Sequence, residues 1–133
     1  MDGGTSLSQV RGLGAARAGT DHWTLQRTTA IANLTLLTWL AVTLATVEFG
    51  SQAAVVRWLS TPYAAVPLLL LCISVFTHLR LGLTTLIEDY VHSEAVKLPL
   101  LLLLNFFTWG GVVFALFSVL KLALTVATGA PNA

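Results

Sequence analysis

Three side chains in this sequence carry chemistry that their setting does not explain. His78 stands inside a long apolar run, and Asp89 and Tyr90 close that run eleven residues later. On a helix, eleven residues put the imidazole roughly 16 Å from the acidic end. That is close to the midplane of a hydrocarbon layer about 30 Å thick. The same interval is about three turns, so His78, Gly82, Thr85 and Asp89 share one stripe. Gly82, one turn after the histidine, leaves a flat notch for a large planar group or a neighbouring helix. An ionisable group at the centre of a membrane helix costs at least about 2.5 kcal/mol, so His78 calls for a reason. One reason is a neutral imidazole hydrogen-bonded to a hydroxyl or carbonyl on another helix. Another is axial ligation of a haem iron. His22 and His92 lie outside the apolar runs, so a haem held by two imidazoles takes its second ligand from another polypeptide.

Asp89 and Tyr90 also admit two readings. A phenol beside a carboxylate at a membrane surface can donate a hydrogen bond to a quinone carbonyl while the acid orients a neighbouring cation. Equally, tyrosine anchors helices at interfaces and an aspartate ends a span. Arg80 lies about 200° round the helix from His78, which suits snorkelling or a pair with Glu88. Arg27, at the edge of the first apolar run, suits a lipid phosphate or an anionic group such as a haem propionate. Trp23 reads as an interface anchor. Asn105 and Trp109 read as interhelical contacts, with Gly110 and Gly111 permitting close approach.

These residues need elements to place them, and composition says which. Of 133 residues, 56% are apolar and 10% charged, against about 25% charged in soluble domains. With a mean hydropathy of +0.81, the chain has too little polar surface to coat a globule in water, and the expected solvent is a bilayer. A net charge of +1 lacks the concentrated basic face of a nucleic-acid binder. The single cysteine, Cys72, excludes an intrachain disulfide or zinc cluster and reads as a packing residue.

Three apolar runs are long enough to cross, at about 28–47, 63–87 and 99–120, with Pro99 expected in the first turn of the last. The segment 48–61 reads as a loop. Residues 1–27 read as an N-terminal segment with no apolar core, hence no cleavable signal peptide; residues 28–128 form the membrane unit and 129–133 a tail. Arg11, Arg17 and Arg27 precede the first span, whereas the next loop carries Arg57 against Glu48. The cationic bias places the N-terminus in the cytoplasm, or in the matrix of a mitochondrion. The fold class expected is an all-α membrane protein of three transmembrane helices.

The pattern resembles a known family, the small hydrophobic membrane-anchor subunits of succinate dehydrogenase (respiratory complex II), usually lettered D. Two blocks carry the resemblance. One is Gly19-x-x-His22-Trp23-x-x-Gln26-Arg27-x-Thr29-Ala30, before the first span. The other is His78-x-x-x-Gly82 followed, after six intervening residues, by Asp89-Tyr90, ending the second. The resemblance implies half of a six-helix anchor bundle, built with a second, C-type anchor subunit and docking an iron–sulfur subunit and a flavoprotein subunit at the cytoplasmic face. It implies His78 as an axial ligand of haem b, Tyr90 as a hydrogen-bond donor to ubiquinone, Asp89 beside that site and Arg27 near the haem propionates. It places the protein in a bacterial inner membrane more readily than in a mitochondrial one. The chain has no glycine-rich nucleotide motif and no cysteine cluster, so flavin and relay belong to other subunits, and it is not an enzyme by itself. The competing readings are a small membrane protein without redox chemistry, such as a helper or oligomeric transporter subunit, and the anchor of a fumarate reductase.

Overall fold

A computed structural model of the chain describes residues 16–48 and 50–127. They form four helices: α1 (Ala16–Thr46), α2 (Gln52–Leu59), α3 (Pro62–Tyr90) and α4 (Glu94–Ala127). Arg11 and the tail 129–133 lie outside the described residues. α1, α3 and α4 are long and apolar enough to cross a membrane, which makes this an all-α membrane protein. With 31, 29 and 34 residues, these helices run about 43–51 Å, well beyond a 30 Å hydrocarbon layer. Their ends therefore stand in the headgroup regions.

The helices outrun the apolar segments at several ends. α1 begins at Ala16, so the block from Gly19 to Ala30 lies on the same rod as the first span. Its Gln, Arg and Thr residues interrupt hydrophobicity but do not break a helix. α4 begins at Glu94, so Pro99 sits inside the helix rather than in its first turn. The main chain of Ser93 starts the helix, its carbonyl accepting from the N–H groups of Val96 and Lys97. Only Val91, His92 and Ser93 separate α3 from α4, which folds the two helices back on each other.

The segment expected as a loop contains α2. Ser51 caps it, its Oγ accepting from the N–H of Ala54 at 3.2 Å. Leu59 from α2 is buried against the bundle. At this end Trp39 of α1 stacks on Trp58 of α2, with ring centroids 6.3 Å apart. Trp39 also meets the Tyr63 ring of α3 edge-on and donates from Nε1 to its Oη at 3.1 Å. One indole thus ties three helices together at the end of the bundle remote from Tyr90.

α3 is the spine: α1 and α4 each pack against it and not against one another. Hydroxyls make up a large share of the buried positions among the described residues, with Thr29, Thr43, Ser74 and Thr108 beside the aliphatic Leu59, Ala64, Leu71, Ile87, Leu104 and Val112. Small hydroxylated residues let helix backbones approach closely in lipid. Thr43 and Thr108 satisfy their hydroxyl hydrogens on carbonyls four residues back in their own helices. The large side chains instead point outward, including Phe106, Phe114 and Phe117 on α4. That is the expected arrangement where the surroundings are lipid or another apolar chain rather than water.

A close approach is made at Gly111 of α4, where an added Cβ would overlap the Phe76 ring of α3; at Gly110 nothing lies within 4 Å. Gly111→Ala is therefore expected to destabilise the α3–α4 pair by about 1–3 kcal/mol. The check is a double-mutant cycle on thermal unfolding of the detergent-purified assembly. The alanine should cost less in a Phe76→Leu background, where the ring is gone. Equal costs in both backgrounds would refute the contact.

Candidate functional site

The seam between α1 and α3 is the most polar part of the bundle interior. Gln26, Thr29 and Asn33 follow one another at helical spacing along α1. They face Ser74, His78 and Gly82, which lie at i, i+4 and i+8 on α3. Thr29 is buried and its Oγ1 lies 3.0 Å from Nδ1 of the half-buried His78. Ser74 Oγ donates to the Thr29 carbonyl oxygen at 3.3 Å, one turn further along. Gly82 faces Gln26, whose Nε2 would stand 3.7 Å from a Cβ at that position. The glycine notch therefore admits the side chain of a neighbouring helix, one of the two occupants that the spacing allows.

Two buried oxygens in this seam, Gln26 Oε1 and Asn33 Oδ1, have no hydrogen-bond partner among the described residues. They flank Thr29 by about one turn on either side. His78 Nε2 likewise has no partner among the described residues, its only hydrogen bond being the one at Nδ1. The imidazole is thus anchored through one nitrogen and free at the other.

Asp89 and Tyr90 occupy the last turn of α3, both exposed, with Tyr90 77% exposed. The N–H of Val91 closes the helix on the Ile87 carbonyl, so neither side chain serves as its cap. Twelve residues separate Tyr90 from His78, about 18 Å along the axis. The structure does not bring these groups into contact; one rigid helix holds them at a fixed separation.

Arg27 is exposed on α1, with its guanidinium carbon 5.4 Å from the Trp23 ring centroid. Residues 27 and 29 differ by about 200° around the helix, so Arg27 points away from the His78 seam. Its charge stays available to an anionic group outside the three-helix unit. Arg80 does not pair with Glu88. Eight residues carry the two about 12 Å apart along α3, beyond side-chain reach. Among the described residues, the ion pair is Lys97 with Glu94, at 3.8 Å. Arg80 instead lines a groove of about 180 Å³ with Leu25, Thr77, Thr108 and Trp109. Asn105 also departs from expectation: its Nδ2 donates within α4, to the Leu101 carbonyl at 3.1 Å.

Thr29 is the functional candidate that sequence reasoning left without a role, although it stands in the first motif block. The available signal was the Gln26–Thr29–Asn33 spacing, a polar stripe on an otherwise apolar helix.

With this geometry in hand, the comparisons are specific. The family model described as "Succinate dehydrogenase/Fumarate reductase transmembrane subunit" matches residues 1–120. A protein named "Succinate dehydrogenase hydrophobic membrane anchor subunit" from Rickettsia bellii (strain RML369-C) is 32% identical over 104 residues, covering 77% of this chain and 82% of that one. Proteins of the same name from Rickettsia conorii (strain ATCC VR-613 / Malish 7) and Rickettsia felis (strain ATCC VR-1525 / URRWXCal2) are 28% and 30% identical. They cover 76% and 70% of this chain, and 81% and 78% of their own lengths. No solved structure matches the chain.

Proposed function

The chain belongs to the succinate dehydrogenase/fumarate reductase transmembrane subunit family, as a bacterial membrane-anchor subunit that is not catalytic by itself, and we propose that it holds one axial position of a haem b and one side of a ubiquinone site. The observation that carries the haem reading is the half-buried His78, fixed through Nδ1 by Thr29 and unpartnered at Nε2. The donor set suits one axial position and no more. Of the other two histidines, His22 lies on α1 seven residues before Thr29, about 10 Å along the axis, and His92 lies past the end of α3. The second imidazole therefore comes from a C-type partner anchor, with which this chain forms a six-helix bundle. When bound, haem b supplies a one-electron redox centre inside the membrane.

The quinone reading rests on the exposed end of α3. Reduction of a quinone by two electrons also takes up two protons, so its head group needs access to water or acids. The Asp89–Tyr90 turn lies at such a boundary and His78 does not. Tyr90 donates its phenolic hydrogen to the quinone carbonyl as negative charge builds on that oxygen. Asp89 orients a partner's cation or passes a proton inward from the surface. Arg27, steadied on Trp23, offers a guanidinium to a haem propionate reaching the outer face of α1.

On this reading the N-terminus and the α3–α4 turn face the cytoplasm, where an iron–sulfur subunit and a flavoprotein subunit dock. The direction of catalysis is set by the potentials of those cofactors and of the quinone, so a fumarate reductase anchor would use the same residues. The test is to isolate the tagged chain from native membranes in mild detergent. Succinate:quinone reductase activity, a second three-span protein and a b-type absorption spectrum should copurify. A colourless homo-oligomer free of flavoprotein would overturn the proposal in favour of a small non-redox membrane protein.

A further inference from the structure

We infer that Thr29 is a positioning residue for His78: its hydroxyl sets the imidazole in the tautomer with hydrogen on Nδ1, leaving the Nε2 lone pair for iron. This rests on the haem-ligand reading above and adds to it the group that prepares the ligand. A threonine hydroxyl has one hydrogen to give and two lone pairs to offer. Thr29 Oγ1 lies 2.8 Å from the Leu25 carbonyl oxygen and 3.1 Å from that of Gln26. Both are acceptors only, so the single hydroxyl hydrogen is directed back into α1. Helical threonines make the same back-bond at Thr35 and Thr43 on this helix and at Thr108 on α4.

What Thr29 turns toward His78 is therefore a lone pair, and at 3.0 Å Nδ1 must be the donor. A neutral imidazole with its hydrogen on Nδ1 carries its free electron pair on Nε2. Thr29 is only 7% exposed, so water does not compete for that bond. Ser74 holds the same residue through its main-chain carbonyl, one turn along α3 from His78, which fixes the register of the two helices at this point. A ligating histidine that donates its second N–H to an oxygen has its ring plane set and its basicity raised. A seam of one hydroxyl and one serine does this here without any charged group.

The test uses the assembled complex and reads the haem rather than turnover. Thr29→Val keeps the shape of the side chain and removes the acceptor; Thr29→Ser keeps the acceptor. The valine variant should show a broadened low-spin electron paramagnetic resonance signal as the ring plane loses its restraint. Its midpoint potential should be more positive, because a less basic imidazole stabilises ferric iron less. Haem should also be released about ten- to a hundredfold faster. The serine variant should match the parent, and Thr29→Ala replaces valine if the latter does not assemble. A valine variant with the parent's signal, potential and haem retention would overturn the inference, as would a serine variant as defective as valine. His78→Ala separates the two levels. An unchanged haem spectrum in that variant removes the haem reading itself, whereas a colourless His78→Ala beside an unaltered Thr29→Val removes only the role of Thr29.

Discussion

Tyr90→Phe is expected to slow quinone reduction by the assembled complex about ten- to a hundredfold, with subunit composition and haem content unchanged. A hydrogen bond to an oxygen that gains charge is worth about 1.5–3 kcal/mol, and each 1.4 kcal/mol is a factor of ten in rate. The loss should fall on kcat more than on KM, because the bond strengthens as the carbonyl oxygen becomes negative. Stability should be untouched. The Tyr90 side chain is 77% exposed, and the last turn of α3 is closed by the Val91 N–H on the Ile87 carbonyl. Steady-state assays with succinate and a short-chain ubiquinone analogue, normalised to flavin, provide the measurement. Undiminished turnover in the phenylalanine variant would exclude the phenol from the quinone site.

His78→Ala is expected to abolish or change the b-type absorption of the same complex. No other imidazole can take its place. His22 is seven residues before Thr29 on α1, about 10 Å along the axis, and His92 lies beyond the end of α3. The substitution also leaves the buried Thr29 oxygen without its partner, at about 1–3 kcal/mol. Recovery of the complex should therefore fall somewhat, while the flavoprotein and iron–sulfur subunits remain attached. Reduced-minus-oxidised spectra, read per flavin, decide the matter.

Much of this was legible in the sequence, for physical reasons. Hydrophobic length alone marks three spans, because no other class of element needs twenty apolar residues in a row. Helical geometry then fixes His78, Gly82 and Asp89 on one stripe of α3 without reference to any neighbour. A hydroxyl on another helix was one expected partner of His78 and close approach was expected at Gly110–Gly111; what could not be read was which residues meet across helices. Thr29 meets His78 across 49 positions of sequence, and nothing local to either announces the other. The Arg80–Glu88 pair fails for the opposite reason: it is a local expectation that the rise of a helix forbids. α2 went unseen because eight residues around Arg57 fall far below the length that signals a span. Its serine cap and the Trp58 that meets Trp39 acquire meaning only once α1 and α3 are placed. The start of α4 lies ahead of Pro99 because Glu94 to Leu98 already propagate a helix that a proline near its beginning does not stop.

That α1 and α4 touch α3 but not each other bears on how the polypeptide enters the membrane. While the ribosome is still making the chain, the first span sits in lipid with its Thr29 hydroxyl and carbonyl not yet met by His78 and Ser74, since the mate that carries them has yet to be synthesised. The second span supplies that mate and, on its opposite flank, the berth for the third. Biogenesis thus has a keystone rather than a sequence of equal additions. Slowing translation just before residue 62 should lengthen the period in which a bare first span is open to quality-control proteases.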